Sequence, residues 1–119
     1  MLSKVIWVLG VTLLYGCSKS GAPKYGSNPA AGRIFDHDGI QLYYEVYGAG
    51  EPLLLVHGNG GSIGNFKAQI NHFRTGYRVI AMDSRDQGKS GDSPGKITYE
   101  KMADDLAALL DHLQGGQRM

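Results

Sequence analysis

The sequence predicts an α/β domain with a parallel core, and three observations predict it. Leu53-Leu54-Leu55-Val56 is apolar without alternation, the pattern of a strand covered on both faces. A second strand-like run, Tyr77-Arg78-Val79-Ile80-Ala81-Met82, follows a short amphipathic stretch. Tyr99, Met102, Ala103, Leu106, Leu109, Leu110 and Leu113 then lie on one helical stripe. Strand, helix, strand, helix in that order is the signature of parallel strands joined by crossover helices. The chain has 119 residues, enough for one small domain. Its 12 Lys+Arg against 11 Asp+Glu exclude a strongly basic nucleic-acid binder, so no nucleic-acid partner is expected. Hydrophobic residues at 42% exclude disorder for the chain as a whole. A single cysteine excludes both a disulfide scaffold and a Cys-rich zinc site.

The first 16 residues read as a targeting segment. Met1 to Lys4 carries one positive charge, and Val5 to Tyr15 is apolar apart from Gly10 and Thr12. That stretch suits the apolar region of a signal peptide and is too short to span a bilayer. It ends in Leu14-Tyr15-Gly16-Cys17, and Cys17 is the lone cysteine. The pattern resembles the bacterial lipoprotein signal, in which cleavage precedes a cysteine that then carries lipid. Leu14 and Gly16 match, whereas Tyr15 stands where a smaller residue is usual. The resemblance implies export and a lipid anchor to a bacterial membrane through Cys17. Residues 17–32 are rich in Gly, Ser, Pro, Ala and Lys, and read as a flexible tether. Removing residues 1–16 takes away Lys4 and leaves the charges balanced, so no polybasic attraction to lipid is expected. Residues 33–119 are the domain.

Arg33-Ile34-Phe35 and Gln41 to Tyr47 are rich in β-branched and aromatic residues, with Asp36-His37-Asp38-Gly39 between them. The D-G pair predicts an antiparallel hairpin. Gly48-Ala49-Gly50-Glu51-Pro52 is a second turn, and Leu53–Val56 follows. Phe66, Ile70 and Phe73 at i, i+4 and i+7 predict a short helix over 65–73, with Gly76 as its terminator. Tyr77–Met82 is the next strand, and Asp83 to Lys96 is a polar loop. Thr98 is the N-cap candidate for the last helix, Tyr99 to Leu113.

Two loops carry the candidate chemistry. His57-Gly58-Asn59-Gly60-Gly61-Ser62 follows a buried strand, where backbone N–H groups can face a crevice. Asp83-Ser84-Arg85-Asp86-Gln87-Gly88-Lys89-Ser90 ends the next strand. Gly88-Lys89-Ser90 is not a phosphate-binding loop, because position 83 is Asp and Pro94-Gly95 interrupts any helix. Gly88 to Asp92 is not a nucleophile elbow either, since its last Gly is missing. His37, His57, His72 and His112 show no metal-ligand spacing, and no metal or cofactor is expected. His72 and His112 read as surface residues, and the tyrosines as core or edge residues.

Together these pieces are specific. Tyr43-Tyr44-Glu45, L-L-L-V-H-G, the helix opened by Phe66, Y-R-V-I-A-M-D-S-R-D-Q-G-K-S and the helix 99–113 resemble the N-terminal part of an α/β-hydrolase. The resemblance runs from about Ile34 to Leu113. It implies that His57-Gly58 leads into an oxyanion loop, with the N–H of Asn59 as donor and Gly60 as the next candidate. It gives His57 a positional role and not that of a base. Asp83, Arg85, Gly88 and Ser90 match the family's D-x-R-G-x-G-x-S loop, which is mainly structural. Asp86 stands where Gly is usual and is expected to carry strain if its φ is positive. The implied strand order is first, second, fourth, third. The strand Leu53–Val56 then lies at an open edge that a further strand would cover, and the two helices lie on opposite faces. The serine elbow, acid and base of the family come after the helix ending near Leu113, and none follows there. The resemblance therefore implies an incomplete α/β-hydrolase sheet with an oxyanion loop, inactive by itself. The complete form would take a small-molecule ester or related acyl substrate. The alternative is a non-catalytic lipoprotein module that binds a complementing chain at the open edge, or a decayed gene fragment.

Overall fold

The computed structural model describes residues 23–114, so the signal-peptide segment, Cys17 and the first part of the expected tether lie outside the described residues. Among the described residues, no helix is long and apolar enough to cross a membrane.

The sheet begins with a hairpin. β1 (Gly32–His37) and β2 (Ile40–Tyr47) are antiparallel and paired through to His37 and Ile40. Only Asp38 and Gly39 remain as the loop, with φ of 54° and 75°. A two-residue loop with both φ positive matches the right-handed twist of the strands. The turn is thus tighter than the four residues expected, because Asp36 and His37 pair with Gln41 and Ile40.

β3 (Pro52–Leu55) and β4 (Arg78–Met82) complete a sheet of order β1-β2-β4-β3, with β4 antiparallel to β2 and β3 parallel to β4. The predicted order is therefore found, and β3 is an edge strand. β3 stops one residue earlier than expected, leaving Val56 52% exposed beyond the ladder. Between β3 and β4, a 3₁₀ turn (Ile63–Phe66) runs into α1 (Lys67–Phe73). After β4 comes α2 (Tyr99–Gln114). Gly48 closes the corner between β2 and β3 at φ 83°, pressed against the carbonyl groups of Arg74 and Tyr77. A side-chain carbon there would collide with both, so glycine is required by space as well as by φ.

Each helix covers one face of the sheet. Phe66, Ile70 and Phe73 pack with Tyr43, Tyr47, Val79 and Ala81, joined by Leu53 and Leu55. Leu106, Leu109, Leu110 and Leu113 pack with Leu42, Tyr44, Ile80 and Met82, joined by Leu54. The alternation along β3 explains its unbroken apolar run, since Leu53 and Leu55 serve one core and Leu54 the other.

One expectation needs correction. Residues 23–32 are not a free tether: the segment docks on the α1 face. Tyr25 is buried, stacks edge-on against Tyr47 with 4.8 Å between centroids, and bonds the Asn71 side chain. Gly26 and Asn28 donate their N–H groups to the carboxylate of Glu45 at 2.9 and 3.2 Å. The physical reason is Glu45 itself, a fully buried carboxylate on β2 that takes two hydroxyl donors from Tyr43 and Tyr47 of its own strand and draws two further N–H donors from this segment.

Candidate functional site

β3 and β4 are parallel and in register from Pro52↔Arg78 to Leu55↔Ala81, so their carboxyl ends release two loops side by side. The first loop follows Leu55 and the second follows Met82. Three hydrogen bonds tie the first to the second. The Ser84 N–H donates to His57 Nε2 at 3.0 Å. The Gly60 N–H donates to Gln87 Oε1 at 2.6 Å. The Ile63 N–H donates to Asp83 Oδ1 at 2.8 Å.

The first bond assigns the role of His57. A backbone N–H can only donate, so Nε2 is the acceptor and the proton sits on Nδ1. That Nδ1–H in turn meets the Gly58 carbonyl at 2.8 Å. Both ring nitrogens of this buried side chain are engaged, which makes His57 a brace between the loops and leaves it no free nitrogen for proton transfer. Gly58 and Gly61 form a tight turn, with the Gly61 N–H on the Gly58 carbonyl at 3.0 Å and Gly60 at φ 80°. Asn59, at the crest of the turn, is exposed, and no hydrogen bond engages its N–H. Of the two candidate donors, Asn59 is thus open and Gly60 is taken by Gln87. Asn59, Ser84 and Gln87 line a cleft of about 690 Å³ whose other wall includes Met102, Ala103 and Leu106 of α2. A smaller cleft of about 370 Å³ lies on the other side of the turn, toward Phe66. The predicted residues His57, Gly58, Asn59 and Gly60 all line this smaller cleft, and the first three also line the larger one.

The second loop is held from within. Asp83 accepts from the Ile63 and Lys89 N–H groups, each at 2.8 Å. Gly88, at φ 55°, leaves no room for a side-chain carbon beside that carboxylate. Ser90 donates to the Asp83 carbonyl and accepts from the Tyr43 N–H at 2.9 Å, which fastens the loop to β2. Arg85 is buried and forks onto Asp105 of α2, with Nε to Oδ2 and Nη2 to Oδ1 both at 2.8 Å. That paired carboxylate holds the guanidinium more firmly protonated than usual, against the opposing effect of burial. Asp86 does take positive φ, 63°, as its place in the motif suggested. Its carboxylate accepts from the Ser93 hydroxyl and N–H, both at 2.6 Å, and these bonds lower its pKa.

Three residues escape a reading by motif. Asp105 sits on the apolar stripe of α2, three residues after Met102 and four before Leu109, and that placement is the signal that would have marked it as buried. Glu45 lies between Tyr43 and Tyr47 on the α1 face of β2, so strict alternation would have marked it too. Nothing in the pattern singles out Gln87.

Two stretches spell G-x-S-x-G: Gly60 to Gly64 around Ser62, and Gly91 to Gly95 around Ser93. Neither is a nucleophile elbow. Ser62 is separated from β3 by a loop, and Ser93 lies between β4 and α2 with Pro94 behind it. The Ser93 hydroxyl is bound to Asp86, and among the described residues no serine hydroxyl is hydrogen-bonded to a histidine. The residues described here therefore assemble loop amides and braces, without a nucleophile–base pair.

Comparison with known proteins places this geometry. The family model for the alpha/beta hydrolase fold matches residues 51–118. A putative carbamate hydrolase, RutD, of Azorhizobium caulinodans is 40% identical over 78 residues, covering 65% of this chain and 29% of its own length. A thermophilic esterase from Thermogutta terrifontis is 42% identical with a TM-score of 0.61, over 70% of this chain and 31% of that one. A hydrolase from Pseudomonas aeruginosa superimposes with a TM-score of 0.68 at 29% identity, over 73% and 34%. The chain thus spans about a third or less of the proteins it matches.

Proposed function

The chain belongs to the α/β-hydrolase fold family, and on that premise we propose that it supplies the oxyanion loop of a hydrolase acting on an ester or related acyl bond of a small molecule. The nucleophile, acid and base are assigned to a segment outside these 119 residues that adds a strand along the open edge of β3. The observation that carries the reading is the Asn59 N–H, unengaged at the crest of a braced turn, on a residue that lines the cleft. A donor held in place before charge develops can stabilise the oxyanion of an acyl-transfer transition state without reorganising. His57, Gly58 and Gly60 shape the turn. Asp83, Arg85, Gly88 and Ser90 build the platform under it. The relatives, a protein named as a putative carbamate hydrolase and an esterase among them, support acyl chemistry and leave the substrate open.

The test is a comparison of two polypeptides. The 119-residue chain is expected to show no turnover of p-nitrophenyl acetate above buffer. The same chain, joined to the coding sequence that follows it, is expected to hydrolyse the ester. In the longer protein Asn59→Pro, which deletes the N–H, should lower kcat by about 10²–10³-fold. The reading fails if the downstream DNA encodes no G-x-S-x-G with later Asp and His, or if the shorter chain is itself active. In that event the open edge of β3 favours a non-catalytic module that adds a partner's strand.

Export and a lipid anchor at Cys17 complete the proposal. Tyr25, which docks on the domain, lies eight residues after Cys17, a reach of at most roughly 27 Å. The domain would sit close to the membrane surface. More than one acyl chain is needed for stable attachment, at about 0.8 kcal/mol per buried methylene. Cys17→Ser is expected to move the protein to the soluble fraction, and unchanged membrane fractionation would rule the anchor out.

A further inference from the structure

We propose that Gln87 is a displaceable cover on the second donor of the loop, holding the Gly60 N–H until a negatively charged oxygen enters the cleft. The inference rests on the oxyanion reading and adds to it a rule for when the site offers one donor and when two.

The placement of Gln87 is built by the backbone around it. Asp86 and Gly88, its two neighbours, both have left-handed φ, 63° and 55°. Asp86 is kept there by its two bonds to Ser93, and next to Gly88 the Lys89 N–H is held by the Asp83 carboxylate at 2.8 Å. The Gln87 N–H is itself fixed on the Ser84 carbonyl at 3.0 Å, and its carbonyl accepts from Ser90 at 3.1 Å. A rigid frame thus presents one side chain to the adjacent loop. Its Oε1 reaches the Gly60 N–H at 2.6 Å, one residue from the open N–H of Asn59, and Asn59 lines both the larger cleft, with Gln87, and the smaller one, with Gly60.

The exchange is selective by charge. Gln87 offers a neutral amide oxygen. An incoming neutral carbonyl would trade one acceptor for its equal and gain nothing. An anionic oxygen forms a charge-assisted bond about twice as strong as a neutral one, and so takes the donor. The loop would then hold a ground-state carbonyl through Asn59 alone and an oxyanion through both amides, which is the difference that accelerates a reaction. The His57–Ser84 and Ile63–Asp83 bonds keep the turn in place while Gln87 swings away.

The test uses ¹⁵N-labelled full chain, with acetate as the anionic probe and acetamide as its neutral counterpart. Acetate is expected to shift the Gly60 and Asn59 amide resonances, and acetamide to leave Gly60 unmoved. In Gln87→Ala the Gly60 amide should exchange with solvent at least about tenfold faster. Acetate should bind about fivefold more tightly there, because a net hydrogen bond of about 1 kcal/mol no longer competes. Unchanged exchange at the Ser84 and Ile63 amides shows that the turn is intact in the variant. Gln87→Glu supplies a charged cover and should abolish the acetate response at Gly60, which tests the idea even if the alanine variant does not fold. Equal effects of acetate and acetamide, no response of Gly60 to either, or wild-type exchange at Gly60 in Gln87→Ala each overturn the proposal. Acetate binding needs no nucleophile, so this experiment can succeed where the ester assay fails, and the reverse.

Discussion

Asp105→Ala should destabilise the domain by about 3–5 kcal/mol, because it strands the Arg85 guanidinium without its partner. Arg85 is 2% exposed and Asp105 is fully buried, and their two parallel bonds are the main compensation that Arg85 has for leaving water. Asp38 approaches Arg85 at 3.4 Å but is 61% exposed, and a solvated carboxylate replaces little of what is lost. A domain of this size has a total stability of roughly 5–10 kcal/mol. The single variant should therefore lose most of its urea midpoint. Arg85→Met with Asp105→Leu removes both charges together and should recover most of that loss, since a buried pair is close to break-even against apolar residues of similar volume. A midpoint for Asp105→Ala within experimental error of wild type would mean that the pair is not what fastens the 83–91 loop to α2. The consequence for the site is direct. The loop that Arg85 holds also carries Ser84, Gln87 and Asp83, the three acceptors and donors that shape the turn at Asn59.

What was legible in the letters follows from where the information is local. The buried strand and the packed helix could be read because the apolar run Leu53–Val56 and the stripe on α2 each report burial through spacing alone, whereas the strand order, and with it the opposed helices, was implied by the family resemblance. The positive φ of Asp86 could be read because its motif position calls for glycine. The docking of residues 23–32 could not. That stretch has one aromatic residue, Tyr25, among glycines, prolines and alanines, and the force that orders it sits 17 to 19 residues away on Glu45. The same holds within the site. Gly60 looks like a donor in the sequence, and only the fold shows that Gln87, 27 residues further on, already holds its N–H. Long-range polar pairing leaves no period in a sequence, whereas apolar burial does.

Glu45→Ala should be the other severe variant, at about 3–5 kcal/mol, and it should release residues 23–32 before the sheet unfolds. The carboxylate accepts from four donors: the Tyr43 and Tyr47 hydroxyls at 2.5 and 2.7 Å, and the N–H groups of Gly26 and Asn28. Each buried donor left without an acceptor is worth about 1–3 kcal/mol, and water entering the space as the segment lifts away would relieve part of that. Amide exchange at Gly26, Asn28 and Gly32 should rise toward that of an unfolded peptide, while the β2 and β4 amides stay protected. Glu45→Gln should lie between, since it keeps one acceptor oxygen and aims an N–H at donors that need none. The two tyrosines give an independent check. Burial, and then the bond to Glu45, push both hydroxyls well above the usual tyrosine range. Protonated tyrosine is thus favoured in the folded state, so this stability is present in full below about pH 10 and is lost as the pH rises further. Each tyrosine contributes at most about 1.4 kcal/mol per pH unit to that alkaline loss, and Tyr47→Phe should make it shallower by up to that amount. A wild-type pH profile that stays flat above pH 10, together with unaltered exchange at Gly26 in Glu45→Ala, would show that Glu45 does not organise this face.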